Sequence, residues 1–270
     1  MSMSSPDRSM GAALGRPTQP SARTLSRIAG VFFVITFVTS IPALLLYEPL
    51  LKHANYILGA GADTRIQFAA FLEVILAITG IGTAVTLYPI VKRQNESIAL
   101  GYVASRILES TVIVIGLVSV LSVVTLRQDI GGAAGADPAT LTAVGRSLVA
   151  IHDQTFLLGP AFCAGIGNGL MLGYLMYRSG LVPRRMAMLG LYGGPLAAVT
   201  ATAVLFGAYH QTSAVNSLFT LPEFAWELSL GIYLIVKGFK TPANVLDEKA
   251  SAALDAGVLG PAAVAPVPAR

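Results

Sequence analysis

The sequence predicts an all-α fold, a polytopic membrane bundle of six transmembrane helices with both termini in the cytoplasm. Its 270 residues are 54% hydrophobic and 12% charged, whereas soluble domains carry roughly 25% charged residues. The mean hydropathy is +0.69, and six apolar runs are long enough to cross a hydrocarbon core of about 30 Å. A chain this apolar would expose too little polar surface to fold in water.

The six apolar runs define the predicted helices in order. They cover residues 26–47, 66–91, 97–126, 147–177, 186–209 and 218–237. The second, third and fourth runs exceed the roughly 20 residues that a helix needs to span a membrane, so we expect these helices to tilt, kink or protrude. Pro160 in the fourth run and the Gly193–Gly194–Pro195 step in the fifth are expected to kink or break their helices.

Composition divides the chain into three segments. Residues 1–25 are small, polar and proline-containing and lack the apolar core of a signal peptide, which predicts a disordered cytoplasmic tail. Residues 26–240 form the predicted six-helix transmembrane domain. Residues 241–270 are rich in alanine and proline and predict a second disordered cytoplasmic tail.

Lysine and arginine residues decide the predicted orientation. Thirteen lie near the chain ends and in the loops 92–96 and 178–185, which share one side, and four lie on the opposite side. Positive residues accumulate on the cytoplasmic side of membrane proteins, which predicts that both termini are inside. These residues flank apolar runs and do not form a basic surface, so the lipid bilayer is the expected partner and nucleic acid is not.

Five charged residues lie within the apolar runs. They are Glu73, Arg106, Glu109, Glu223 and Glu227. A charge inside a membrane helix costs at least about 2.5 kcal/mol and usually faces the bundle interior. A rise of about 1.5 Å per residue puts these residues, together with His152 and Asp153, in one layer between the outer surface and the middle of the membrane. These seven residues are the candidate site for a substrate or an ion.

Two interpretations of the buried charges stay open. Arg106 and Glu109 are three residues apart and therefore neighbours on one helix face. In the first interpretation, Arg106 pairs with Glu109 or Glu73 and clamps the bundle. In the second, Arg106 faces Glu73, Glu109 and Glu227 together. One arginine neutralises one carboxylate, so an acid in excess binds a cation or relays a proton in a hydrated pocket open to the outside.

The fourth predicted helix carries a stripe of small residues. Gly165, Gly169 and Gly173 recur at four-residue spacing, which removes side chains from one helix face and lets another helix approach closely. The stripe predicts packing against a neighbouring helix of the same chain or against a second copy in a homo-oligomer.

Motifs for other chemistry are lacking in the sequence. There is one cysteine, Cys163, and there are no paired-cysteine, HExxH, GxSxG or glycine-rich phosphate motifs. We therefore assign no cofactor, no metal ligand set and no catalytic residue. His53, His152 and His210 lie toward the outer side, where we expect histidines to contact water. The predicted function is binding or translocation of a small solute or cation, and enzymatic catalysis stays open as an alternative.

Two alternatives come from other functional classes. An intramembrane metal-dependent enzyme would use His152, Asp153 and a glutamate as ligands. A non-catalytic membrane regulator would bind a partner protein through the basic loop at Arg184 and Arg185. Bound metal in the purified protein would support the first alternative, and a co-purifying partner would support the second.

Three segments carry a resemblance to a known family. RIAGVFFVITFVTSIPALL, LGYLMYRSGLVPR and PEFAWELSLGIYLIVKGF resemble the bacterial membrane family called domain of unknown function 4386, over about residues 23–240. The resemblance implies a six-helix protein of a bacterial cytoplasmic membrane and no established activity. The positions that it highlights are His152, Gly173, Tyr174, Ser179, Gly180, Pro183, Glu223, Glu227 and Gly238.

Overall fold

A computed structural model describes residues 21–53, 55–59, 61–130 and 137–240, and every regular element in these ranges is helical. The helices are α1 (Ala22–Leu46), α2 (Glu48–Lys52), α3 (Asp63–Val91), α4 (Glu96–Ile130), α5 (Pro138–Ser179), α6 (Arg184–Leu205) and α7 (Ala214–Val236). All except the short α2 are long and apolar enough to span a membrane, which confirms the predicted six-span all-α fold. Residues 1–20 and 241–270 lie outside the described ranges, so disorder there stays a prediction.

Each long helix begins earlier than hydropathy predicts, and the starts of α1 and α5 show a physical reason. α1 begins at Ala22, four residues before the predicted start, because the Ser21 hydroxyl accepts a hydrogen bond from the Thr24 amide at 3.1 Å. α5 begins at Pro138, nine residues early, since Asp137 accepts bonds from two amides of the first turn and proline suits the first helical position. Caps, and not apolarity, determine these two ends.

The Asp137 cap predicts a pH effect at the start of α5. Hydrogen bonds from the Thr140 hydroxyl and amide lower the pKa of the Asp137 carboxyl. A lowered pKa means that the cap stabilises the helix above the carboxyl's ordinary pKa and is lost as pH falls through the lowered value. We expect the amide resonances of Ala139 and Thr140 to shift together on acidification, and to stay unchanged in the Asp137→Ala variant.

Pro160 and Pro195 do not break their helices. Pro160 is accompanied by wider turns in α5, and Pro195 leaves α6 continuous. Around Pro160 the backbone of α5 opens into π-helical turns at Leu157–Cys163 and Gly165–Leu172, because proline supplies no amide for the regular hydrogen bond. The Gly193–Gly194–Pro195 step does not break α6, which is one continuous helix. Its two glycines lie directly against the neighbouring backbones, so the packing supports the helix there.

The six long helices form a closed ring. Following contacts around the bundle gives the order α1, α3, α4, α5, α6, α7 and back to α1. Two apolar clusters lie toward the two ends of this ring, one containing Leu87, Tyr102 and Trp226 and the other containing Tyr47 and Ile66. The buried charged residues of α3 and α4 lie between these clusters along the chain.

A polar contact ties together the chain connections at the end of the bundle where α2 lies. Arg127, near the end of α4, forms an ion pair with Asp63 at the start of α3. The Tyr56 hydroxyl donates to Asp63 Oδ1 at 2.9 Å. Burial, together with this hydrogen bond, raises the pKa of Tyr56. The link holds the loop after α2 against the ends of two membrane helices.

Candidate functional site

The five charged residues of the apolar runs form two separate groups and not one layer of mutual contacts. Arg106, Glu109, Glu223 and Glu227 lie together with Asn168, and we call these five residues the arginine site. Glu73 lies instead with Tyr47, His152 and Asp153, and we call these four residues the histidine site. The expectation that Arg106 faces Glu73 is therefore wrong. Glu73 lies about two helical turns along α3 from Gly80, the α3 residue that Arg106 contacts.

Arg106 joins two helices at the arginine site. Its Nη1 donates to Glu109 Oε2 at 2.6 Å, and its Nε donates to the Gly80 carbonyl of α3 at 3.2 Å. Gly80 leaves the space that the guanidinium occupies, because a Cβ there would lie 3.1 Å from Arg106 Nη2. Arg106 is only 3% exposed. The Arg106–Glu109 pair thus has the geometry of the predicted clamp.

Glu227 is held by a residue that the sequence analysis did not select. The Asn168 side-chain amide donates to Glu227 Oε1 at 2.5 Å, and the Trp226 indole donates to the Asn168 carbonyl at 2.8 Å. Asn168 and Trp226 are fully buried. The available signal was a lone asparagine between two glycines in the apolar segment GIGNGL, a polar group that needs a partner inside a membrane helix.

Glu223 differs from the other two acids of the site. It is 6% exposed, and neither carboxylate oxygen has a hydrogen-bond partner among the described residues. All three carboxylates interact electrostatically with the Arg106 guanidinium. Arg106 forms its direct bond with Glu109, however, so Glu223 is left as a buried acid without a bonded partner.

The glycine stripe of α5 packs closely against α6, and its middle residue contacts the Glu223 carboxylate. A Cβ at Gly165 would lie 2.9 Å from the Gly194 carbonyl, and one at Gly173 would lie 3.0 Å from the Leu191 amide. A Cβ at Gly169 would collide with the Glu223 carboxylate and the Gly194 backbone. The stripe therefore packs on α6 of the same chain, and its middle position makes room for the carboxylate.

The histidine site joins α1, α3 and α5. The Tyr47 hydroxyl donates to Glu73 Oε2 at 2.9 Å. His152 Nε2 lies 3.9 Å from Glu73 Oε1, and His152 Nδ1 lies 3.8 Å from Asp153 Oδ1. The Tyr47 and His152 rings meet edge to face with centroids 5.3 Å apart.

The prediction of a water-exposed histidine is wrong for His152. Its side chain is buried, whereas His53 and His210 are exposed. The reason lies in the early start of α5. Since the helix begins at Pro138, His152 lies about four turns inside it and faces the bundle. Its neighbour Asp153 points outward and is exposed.

A cavity of about 210 Å³ lies beside Asp153 at the end of the bundle where α2 lies. Its polar lining comes from Lys52, His53, Tyr56, Arg146 and Asp153, and the rest is apolar. Asp153 thus connects this cavity with the buried ring of His152.

The described residues contain no group of three or more histidine, cysteine, aspartate or glutamate side chains arranged to hold a metal ion. The metal-dependent enzyme considered from the sequence therefore has no ligand set within these ranges. His152, Asp153 and Glu73 do come together, but only as long contacts of 3.8–3.9 Å between atoms.

Comparison with known proteins identifies a family and no activity. The family described as "Domain of unknown function (DUF4386)" matches residues 28–238. No curated protein matches the chain, and no solved structure does. The match covers all six membrane-spanning helices almost completely. The chain is a multi-pass membrane protein that belongs to the family "Domain of unknown function (DUF4386)".

Proposed function

We propose that this protein binds a proton or a small cation at the arginine site and carries it across a bacterial cytoplasmic membrane. The observation that carries the proposal is Glu223, a buried carboxyl group with no hydrogen-bond partner among the described residues. An ionised carboxylate inside a membrane protein is costly unless it is paired or solvated. Glu223 therefore needs a positive charge that its protein neighbours do not supply.

The charge balance of the site supports this proposal. Glu109, Glu223 and Glu227 supply up to three negative charges, and Arg106 supplies one positive charge. The direct bond between Arg106 and Glu109 satisfies that pair, and Asn168 gives Glu227 a neutral donor. A proton or a cation bound between Glu223 and Glu227 removes most of the remaining repulsion.

The Arg106–Glu109 clamp has a positioning role in this account. It fixes α4 against α3 through the Gly80 carbonyl and presents a fixed positive charge toward the other acids. Such a charge weakens the hold of the site on a bound cation, which favours release of the cation. The Arg106–Glu109 clamp therefore both holds two helices together and sets the charge that acts on the binding site.

The proposed orientation has both termini in the cytoplasm. It rests on the distribution of lysine and arginine, thirteen on one side and four on the other. In this orientation the cavity beside Asp153 opens to the outside. Accessibility of single cysteines, introduced in a Cys163→Ala background, to an impermeant thiol reagent tests it. Labelling at position 92 from the outside of intact cells would contradict it.

Flux through liposomes tests the proposed function. Purified protein is reconstituted with a trapped pH-sensitive dye, and a pH gradient or a sodium or potassium gradient is applied. We expect the wild-type protein to change the internal pH faster than empty liposomes, and Glu223→Gln to lower this rate at least about tenfold. Loss of the unpartnered Glu223 carboxyl group removes the binding charge, while glutamine keeps the volume.

Glu48→Gln is the matched control, because Glu48 is an exposed glutamate that pairs with Lys52 at 2.8 Å outside the long helices. It should leave the flux unchanged. Equal rates for the wild type and Glu223→Gln, or no flux above empty liposomes under any of the gradients, would contradict the proposal.

A further inference from the structure

The histidine site contains a second buried group that lacks partners. Neither ring nitrogen of His152 has a hydrogen-bond partner among the described residues, although the side chain is only about 3% exposed. A buried imidazole has at least one N–H to donate and normally finds an acceptor. Each nitrogen instead faces a carboxylate at slightly more than hydrogen-bond distance, Nε2 toward Glu73 and Nδ1 toward Asp153.

The position of the cavity shows which end of this set of residues is open to water. Asp153 lines the cavity of about 210 Å³ and is exposed, whereas Glu73 is buried beneath the histidine and is held by Tyr47. The order from the cavity inward is therefore Asp153, His152, Glu73. Each consecutive pair is separated by a gap that a small side-chain movement closes.

We propose that Asp153, His152 and Glu73 form a proton-binding relay that leads from the cavity into the bundle. A proton from water in the cavity binds the Asp153 carboxylate and passes to His152 Nδ1. The proton on His152 Nε2 then passes to Glu73 Oε1, which leaves the ring neutral with its proton on Nδ1. The ring recovers its first tautomer by giving the Nδ1 proton to water from the cavity and taking a proton from water at Nε2. The net result is that one proton moves from Asp153 to Glu73, and no bond other than N–H and O–H changes. The relay is separate from the arginine site.

The distances between the three residues show how far their side chains must move for the relay to work. The gaps of 3.8 and 3.9 Å must shorten by about 1 Å for direct transfer, since hydrogen bonds form at about 2.7–3.2 Å. Among the described residues, groups from four helices face His152. They are Glu73 from α3, Tyr47 from α1, Asp153 and Phe156 from α5, and Gly116 from α4. The two carboxyl groups are the acidic members of this set, so they control proton binding by the ring.

The chain permits a direct test because it contains three histidines. The double variant His53→Gln/His210→Gln changes only exposed side chains and leaves His152 as the single histidine. Nitrogen-15 NMR of histidine-labelled protein in lipid nanodiscs then reports the protonation state of His152 alone. We expect its two nitrogen resonances to move from the neutral to the charged pattern within about pH 5 to 9.

Removing each carboxylate in the same background completes the test. Glu73→Gln and Asp153→Asn should each weaken proton binding by His152 about tenfold or more, because each removes a negative charge about 4 Å from the ring. Tyr47→Phe keeps both carboxylates and should change it less. A histidine signal that stays neutral across the whole range, or one that titrates in both carboxylate variants as it does in the His53→Gln/His210→Gln parent, would overturn the relay. Because Asp153 is exposed, its variant gives a result even if Glu73→Gln does not fold.

Discussion

Replacing Arg106 alone by methionine should lower the free energy of unfolding by about 3–5 kcal/mol, the usual cost of removing one partner from a buried ion pair. The variant leaves Glu109 buried without its 2.6 Å bond and removes the bond to the Gly80 carbonyl. It also leaves the acids of the arginine site with no base. Reversible unfolding in mixed micelles, driven by a denaturing detergent, measures the change.

The double variant Arg106→Met/Glu109→Leu separates the pair from the rest of the site. Removing both partners leaves no unpaired charge at that position, so at least about half of the lost stability should return. The double variant should fold while still differing from the wild type in flux, because the clamp positions a charge beside Glu223. A double variant that is less stable than Arg106→Met would show that the two residues do not act as a pair. One with full wild-type flux would show that the pair is only structural.

The second large effect is expected at Gly194. A Cβ at this position would collide with the Gly165 carbonyl and lie 2.6 Å from the Leu170 amide, both of them backbone groups of α5. Backbone atoms cannot rotate away, so Gly194→Ala should separate α5 from α6 and lower stability by about 2–3 kcal/mol, despite the better helix propensity of alanine. The same unfolding assay measures this loss.

Gly59→Ala is the matched control for Gly194→Ala. It adds the same methyl group, but the nearest atom to the new Cβ is 3.8 Å away, and φ at Gly59 is −97°. Its stability should stay within about 0.5 kcal/mol of the wild type. Equal stability for both variants would mean that α5 and α6 do not approach as closely as described. The space at Gly169 that accommodates the Glu223 carboxylate depends on the same contact and would then also be wrong.

The fold could be predicted largely from hydropathy because the bilayer restricts spanning segments to apolar helices of a certain length. The ends of α1 and α5 could not, since they depend on Ser21 and Asp137 and not on apolar length. The response to proline was also missed. Whether Pro160 kinks a helix or opens π-helical turns depends on the neighbours that satisfy the freed carbonyl groups.

Part of the site could be predicted from spacing within one helix. Arg106 and Glu109 are three residues apart, and this local relation became a 2.6 Å bond. Contacts between helices could not be predicted, because spacing does not give the order and rotation of helices in a bundle. Glu73 therefore lies with His152 and not with Arg106, and the bond from Asn168 to Glu227 joins α5 to α7.

Infrared spectroscopy of the carboxyl groups tests the central claim, that Glu223 takes a positive charge from outside the protein. The protein is held near neutral pH in a choline buffer, where a proton is the only small cation present. We predict a carbonyl-stretch band of a protonated carboxylic acid that shifts in heavy water, decreases in Glu223→Gln and is unchanged in Glu48→Gln. Identical bands in the wild type and in Glu223→Gln would contradict the claim.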